Sequence, residues 1–262
     1  MLCRQLPIVI RHFIKAYSND LSYPQSVFAI VIIGSGLLAR AFPDAFLARA
    51  DVCIFAAGVS NSSCTNPNEF LRERQRLNEA LRQSDGIDAF IYFGTCSVTD
   101  TDALNTPYVQ HKLAMEQMVA AHPGNLILRL PQVAGKTPNP HTLLNFLYAR
   151  ISRSEAFDLW SKAKRNIIDV EDVALIAQQL MANNSMRNRT LNIANIVSYS
   201  MTDIVTTMES VVGKPAVYNV VTKGSEYPID TSAIVPILEN AGVDFTHDYL
   251  EKVVSKYYER LA

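Results

Sequence analysis

Phe28-Ala29-Ile30-Val31-Ile32-Ile33, running into Gly34-Ser35-Gly36-Leu37-Leu38-Ala39, is the stretch from which the architecture follows. A continuous apolar run without the alternation of a half-exposed strand is what a strand covered on both faces of a parallel sheet requires. It stops at Gly-x-Gly-x-x-Ala, where the missing side chains let backbone approach a pyrophosphate at the start of a helix. Taken alone, this turn fits a bound dinucleotide and a tight strand-to-helix connection equally well. A helix over residues 36–49 is expected next.

Outward from there, strand and helix patterns alternate. Val52-Cys53-Ile54-Phe55-Ala56-Ala57 is a second apolar run, closing on Gly58, and residues 68–82 read as a polar helix. Ala89-Phe90-Ile91-Tyr92-Phe93 makes a third strand, a helix over 107–121 begins at Pro107, and residues 125–130 make a fourth strand. Such alternation implies an α/β fold, a doubly wound, Rossmann-like parallel sheet with its sites at the carboxyl ends of the strands.

Two motifs sit at those ends. Gly94-Thr95-Cys96-Ser97 follows the third strand, and Tyr108-Val109-Gln110-His111-Lys112 opens the next helix. Tyr108 and Lys112 are four residues apart and share a helix face. A phenol titrates near pH ~10, so a neighbouring ammonium is expected to ready it for proton transfer at neutral pH. Thr95 or Ser97 could then hold the substrate oxygen while Tyr108 moves the proton. As a bare pair, Tyr and Lys at this spacing are commonly a surface coincidence; their order after the glycine turn and the Thr95 strand gives them meaning.

Composition narrows the partners. With 24 Lys+Arg against 25 Asp+Glu there is no basic excess for nucleic acid, and Arg72-Glu73-Arg74-Gln75-Arg76 reads as a solvated helix face. Cys3, Cys53, Cys64 and Cys96 show no CxxC spacing, which argues against a metal site or a disulfide framework and fits a reducing cytoplasm. No apolar run reaches the ~18 residues that span a bilayer. Residues 1–27 are basic and partly apolar, and read as an appended helix or strand rather than a targeting peptide, because Pro7 interrupts the pattern and no small-residue cleavage site follows.

Together these residues resemble the extended short-chain dehydrogenase/reductases, the group that includes nucleotide-sugar epimerases, dehydratases and ketoreductases, from about Val27 to the C-terminus. Val31 to Gly36 is similar to that family's first strand and turn, and Ile54-Phe55-Ala56-Ala57-Gly58 to its fourth strand. Ile91 to Val98 is similar to its hydroxyl-bearing strand, which places Thr95 at the Ser/Thr position. Leu128-Arg129-Leu130-Pro131-Gln132-Val133-Ala134-Gly135 is similar to the Arg-x-x-Asn-x-x-Gly segment beside nicotinamide and sugar, with Gln132 where Asn is usual. Residues 165–174 are similar to the Arg-Asp-(aromatic)-Ile-x-Val-x-Asp-x-Ala signature.

The resemblance implies NAD or NADP as coenzyme, held by Gly34, Ser35, Gly36, Leu37, Ala39, Ala56, Ala57, Gly58, Lys112, Pro131 and Val133. It implies a nucleotide-sugar substrate held by Gln132, Thr142, Asn145 and Arg165, with Arg165 on the diphosphate and Asp172 capping or pinning a helix. Thr142 and Asn145 could equally bond the backbone of their own helix. Catalysis would fall to Tyr108, Lys112, Thr95 and Ser97, with Lys112 bonding the coenzyme ribose and lowering the Tyr108 pKa. Relatives pair into homodimers through the helices matching 68–82 and 107–121.

One departure is large. In relatives roughly sixty residues lie between the glycine turn and the fourth strand and carry two further strands; here Gly36 and Ala56 are 20 positions apart, room for one helix. The adenosine half of the cleft is thus expected to be missing, or rebuilt by residues 1–27 with their apolar run Leu6 to Ile10. A shortened cleft suits an exchanging coenzyme, and Cys96-Ser97 cannot replace the Asp-Glu pair of family dehydratases. The expected activity is therefore reduction of a keto group on a nucleotide-linked sugar. Epimerisation with retained NAD, and a non-catalytic dinucleotide-sensing or scaffold protein, stand as alternatives. By domain, 1–27 is an extension, 28–135 and 165–195 the dinucleotide-binding core, and 136–164 and 196–262 a small substrate lobe. Trp160, in that lobe, is expected in the core rather than stacked on a sugar.

Overall fold

The computed structural model describes residues 31–42, 52–84 and 86–259. Residues 1–27, the expected substitute for the absent strands, lie outside the described residues, as does the second half of the helix expected over 36–49.

The first half of the chain runs β1 (Val31–Ile33), α1 (Leu37–Ala41), β2 (Val52–Phe55), α2 (Pro67–Gln83), β3 (Ala89–Thr95), α3 (Pro107–Ala120) and β4 (Asn125–Leu130). The second half runs β5 (Gln132–Ala134), α4 (Leu143–Arg153), β6 (Phe157–Trp160), β7 (Lys164–Arg165), β8 (Ile167–Asp169), α5 (Val170–Ala182), β9 (Arg189–Asn192), β10 (Tyr199–Ser200), α6 (Met201–Val212), β11 (Tyr218–Val221), α7 (Leu238–Ala241) and α8 (Tyr249–Tyr258). The main sheet has the order β1-β2-β3-β4-β9, every pair parallel.

The sheet is wound on both faces because its strands alternate between two apolar clusters. Val52, Ile54, Ile91, Leu126 and Leu128 point to the side covered by Val173, Ile176 and Leu180 of α5. Cys53, Phe55, Phe90, Tyr92 and Ile127 point to Leu77 of α2 and Met115 and Val119 of α3. All seven residues of β3 are buried, which explains why the sequence there is apolar throughout rather than alternating. Among the described residues β1 is an edge strand hydrogen-bonded only to β2, so the two further strands of the relatives have no counterpart there.

The turn after β1 is tied to the end of β2. Ala56 donates its N–H to the Ile33 carbonyl at 2.8 Å. Gly34 has φ +138°, and a Cβ built on it would lie 2.5 Å from the Ala56 carbonyl oxygen. The glycine is required here by both backbone conformation and close approach. Gly34→Ala is expected to cost about 1–3 kcal/mol, read as a lowered Tm; an unchanged Tm would show that the two strand ends separate without cost.

A second core, built from Leu144, Leu147 and Ile151 of α4, Ile204 and Met208 of α6, and Val253 and Val254 of α8, forms the smaller lobe. Ile234, Ala241 and Val243, placed in this lobe by sequence, instead join the cluster beneath the main sheet. Trp160 is 43% exposed and does not occupy the core position expected of it, since β6 alternates and buries only Phe157 and Leu159.

The last helix is keyed into the start of α5. Asp169 caps α5 by accepting the Glu171 N–H, and its carboxylate also accepts from Lys256 Nζ and the Tyr257 hydroxyl, each at 2.7 Å. Tyr249 accepts the Asp169 N–H and donates its hydroxyl to Asp172 at 2.5 Å, so Asp172 pins α8. No helix among the described residues is long and apolar enough to cross a membrane.

Candidate active site

The carboxyl ends of β1, β2 and β3 and the start of α3 converge on a cavity of about 240 Å³. Its walls include Gly36 and Leu37 from the glycine turn, Ala56 and Gly58 after β2, Thr95 at the end of β3 and Ser97 beyond it, Tyr108 and Lys112 on α3, and Pro131, Gln132 and Val133 after β4. Thr137, Asn139, His141 and Thr142 close the far side, and Asn139 Nδ2 donates to Ser60 Oγ at 3.2 Å, joining the loops on either side of the mouth. Among the described residues nothing lies within 4 Å of where a side chain on Gly36 would begin, which leaves room there for a phosphate-sized group.

The local sequence explains how α3 delivers its two functional side chains. Thr106 caps the helix by accepting the Val109 N–H, and Pro107 occupies the first turn, where its missing N–H costs nothing. The four-residue spacing then buries both Tyr108 and Lys112. Tyr108 packs on Val59, Cys64 and Val109, and the Thr95 side chain acts on its hydroxyl in favour of the ionised form. Thr95 Oγ1 accepts the Ser97 N–H at 3.2 Å, and Ser97 in turn acts on the Tyr227 hydroxyl from the C-terminal segment, opposing the burial that raises its pKa. Between these hydroxyls Cys96 is buried, and burial pushes its thiol up to about 12, so it stays protonated.

Lys112 does not stand free beside Tyr108. Its Nζ lies 3.1 Å from Glu73 Oε1, 3.2 Å from the Tyr92 hydroxyl, and 6.0 Å from the centre of the Tyr108 ring. Glu73, 1% exposed, also accepts the Val59 N–H at 2.7 Å, the Tyr92 hydroxyl at 2.8 Å and a His111 ring nitrogen at 3.0 Å. Burial works against its charge, but the Lys112 ammonium and these donors outweigh it and hold the carboxyl down at about 2. The expectation that Lys112 lowers the Tyr108 pKa is therefore corrected. Burial first, then the Glu73 charge, hold the Tyr108 phenol above its ordinary value, with Thr95 opposing them only partly.

Glu73 escaped the sequence reading because it sits between two arginines and was counted with a solvated face. Glu73, Leu77 and Ala80 are the buried residues of α2, and that helical spacing was the available signal. Gly58 has a structural reason as well, since a Cβ there would meet Lys112 Nζ at 2.6 Å and Glu73 Oε1 at 3.0 Å. Tyr227 and His141 were not singled out either; no spacing links them to Thr95.

Not every expected residue reaches the cavity. Gly34 shapes the turn from behind, Ser35 is exposed, Ala39 lies further along α1, and Ala57 packs toward the α2–α3 side. Asn145 spends its amide on the Thr137 and Asn139 carbonyls and accepts from the Tyr258 hydroxyl, so it braces the loop rather than facing the cavity. Arg165 lines a separate cavity of about 350 Å³ with Phe157 and Trp160, and donates to the Lys164 and Ser225 carbonyls.

The description "NAD dependent epimerase/dehydratase family" matches residues 28–194, which span the glycine turn, Thr95, Tyr108 and Lys112. The chain belongs to this family. Solved structures agree on the fold of this epimerase/dehydratase family member. RMD from Pseudomonas aeruginosa, complexed with NADPH, is 15% identical with a TM-score of 0.62, over 80% of this chain and 82% of that one. UDP-glucuronic acid 4-epimerase from Bacillus cereus, in complex with UDP-glucuronic acid and NAD, is 18% identical with a TM-score of 0.63, over 79% and 74%. dTDP-glucose 4,6-dehydratase from Bacillus anthracis, in complex with NAD, is 16% identical with a TM-score of 0.60, over 78% and 71%. Among curated proteins, none matches the sequence.

Proposed function

We propose that this protein is an NAD- or NADP-dependent oxidoreductase acting on a nucleotide-linked sugar, and that its net reaction is reduction of a keto group. The observation that carries the reading is that Tyr108, Thr95 and Lys112 line one cavity together, with Lys112 closed in an ion pair with Glu73 behind it. The room at Gly36 suits the coenzyme pyrophosphate. A nicotinamide dinucleotide, when bound, supplies the hydride to the carbonyl carbon. Thr95 orients the carbonyl oxygen, and Tyr108 gives its proton to that oxygen as the alcohol forms. Gln132 and Thr142 face the same cavity and would contact the sugar, while Arg165 and Trp160 offer a cation and an aromatic face at the second cavity.

Epimerisation is the second reading, and the similar structures favour it, since they include 4-epimerases of UDP-sugars solved with NAD. The two separate in one experiment. The purified protein is titrated with NADH and NADPH by fluorescence, then mixed with nucleotide-linked keto sugars while nicotinamide absorbance is followed. Consumption of one reduced dinucleotide per alcohol formed supports reduction. Nicotinamide released on denaturing the purified protein, with sugar inverted and no net consumption, supports epimerisation. Failure to bind either dinucleotide removes both and leaves the non-catalytic reading.

A further inference from the structure

We propose that Glu73 is a positioning residue for the proton donor: it holds the Lys112 ammonium in a closed ion pair, so that Tyr108 faces the substrate oxygen as a neutral phenol rather than a phenolate. This rests on the hydride-transfer reading above and gives it a direction.

The geometry is specific. The cation lies 3.1 Å from the Glu73 carboxylate and 6.0 Å from the Tyr108 ring centre, so at the phenol the two charges of the pair oppose one another. The elements packed around Tyr108 bring few other titratable groups toward it. From α2 there is Glu73 alone; from β3 come Tyr92, which donates to Glu73, and the protonated Cys96; from α3 come His111, bonded to Glu73, and Glu116, paired with Arg129 of β4. None of these adds an unpaired cation near the phenol. The pair is also fixed in place. The Val59 N–H ties Glu73 to the loop after β2, and the absence of a side chain on Gly58 makes room for Lys112 Nζ. In reduction a bound reduced dinucleotide would give up hydride to form the C–H bond at the carbonyl carbon, while the O–H bond of Tyr108 breaks, an O–H bond forms on the product, and solvent reprotonates the phenolate between turnovers.

The test reads Tyr108 itself. Tyrosinate absorbance is measured across an alkaline titration for the parent protein and for Glu73→Gln, each corrected by its Tyr108→Phe counterpart. In the parent, Tyr108 stays protonated between about pH 6 and 9; in Glu73→Gln the released ammonium lowers its midpoint by at least about one pH unit, tenfold in proton concentration. Glu73→Asp, which keeps the charge, restores the parent behaviour, and the alkaline limb of the turnover profile moves with the spectroscopic midpoint. An unmoved or raised midpoint in folded Glu73→Gln overturns the proposal. Should that variant fail to fold, the parent decides alone, since a phenolate signal from Tyr108 between about pH 6 and 9 overturns it and a midpoint above the ordinary phenol value of ~10 supports it. The titration needs neither substrate nor dinucleotide, so its outcome is separate from failure of the hydride-transfer reading.

Discussion

Tyr108→Phe lowers turnover by about 10²–10⁴-fold while leaving dinucleotide affinity and Tm near the parent values. The substitution removes one oxygen. The ring keeps its packing against Val59, Cys64 and Val109, so little apolar burial is lost. Thr95 still accepts the Ser97 N–H, and its position at the end of β3 is unchanged. What disappears is the hydroxyl in the cavity wall, beside Thr95, proposed to hand a proton to an oxygen held there. The effect should therefore fall on kcat rather than on binding, measured by steady-state kinetics beside a fluorescence titration of dinucleotide. Full turnover in Tyr108→Phe would end the proposed chemistry.

Glu73→Ala should cost about 3–5 kcal/mol of stability, the penalty of breaking a buried ion pair from one side. The change strands the Lys112 ammonium together with the Val59 N–H, the Tyr92 hydroxyl and a His111 ring nitrogen, all of which now end on one carboxylate. Urea denaturation measures it, and a loss below about 1 kcal/mol would mean that water replaces the carboxylate freely. Replacing both charges, Glu73→Gln with Lys112→Met, should cost far less. Acid tests the same pair. Glu73 titrates at 4.5 when unperturbed and at about 2 in the folded protein, so its contribution is complete above pH 4.5 and drains away as the pH falls toward 2. The double variant should lose this part of the acid sensitivity.

The sheet was readable because burial on both faces leaves no choice of residue. Val52–Phe55 and Ala89–Thr95 are apolar at every position except the last threonine, and both became central strands. Tyr108, Lys112 and Thr95 were readable because their roles demand particular residue types at fixed offsets from elements that pattern alone locates. Glu73 was not, since a charge on a mostly charged helix looks solvated until the opposing strand supplies Tyr92 and the next helix supplies Lys112. Residues that act through tertiary partners carry no local mark. Trp160 failed for the converse reason: an aromatic side chain near an apolar run looks buried, yet the two-residue period of β6 turned it outward.

The clasp between α8 and α5 has a consequence for synthesis. The five strands of the main sheet among the described residues have all emerged once Asn192 leaves the ribosome, while Ile234, Ala241 and Val243 of the cluster beneath it are still to come. Asp169 and Asp172 then lie at the head of α5 without the groups that neutralise and bond them. Asp172 waits 77 positions for Tyr249, and Asp169 waits 87 and 88 for Lys256 and Tyr257. The nascent chain thus carries a hydrated acidic spot beside strands already made, and arrival of the final helix expels that water.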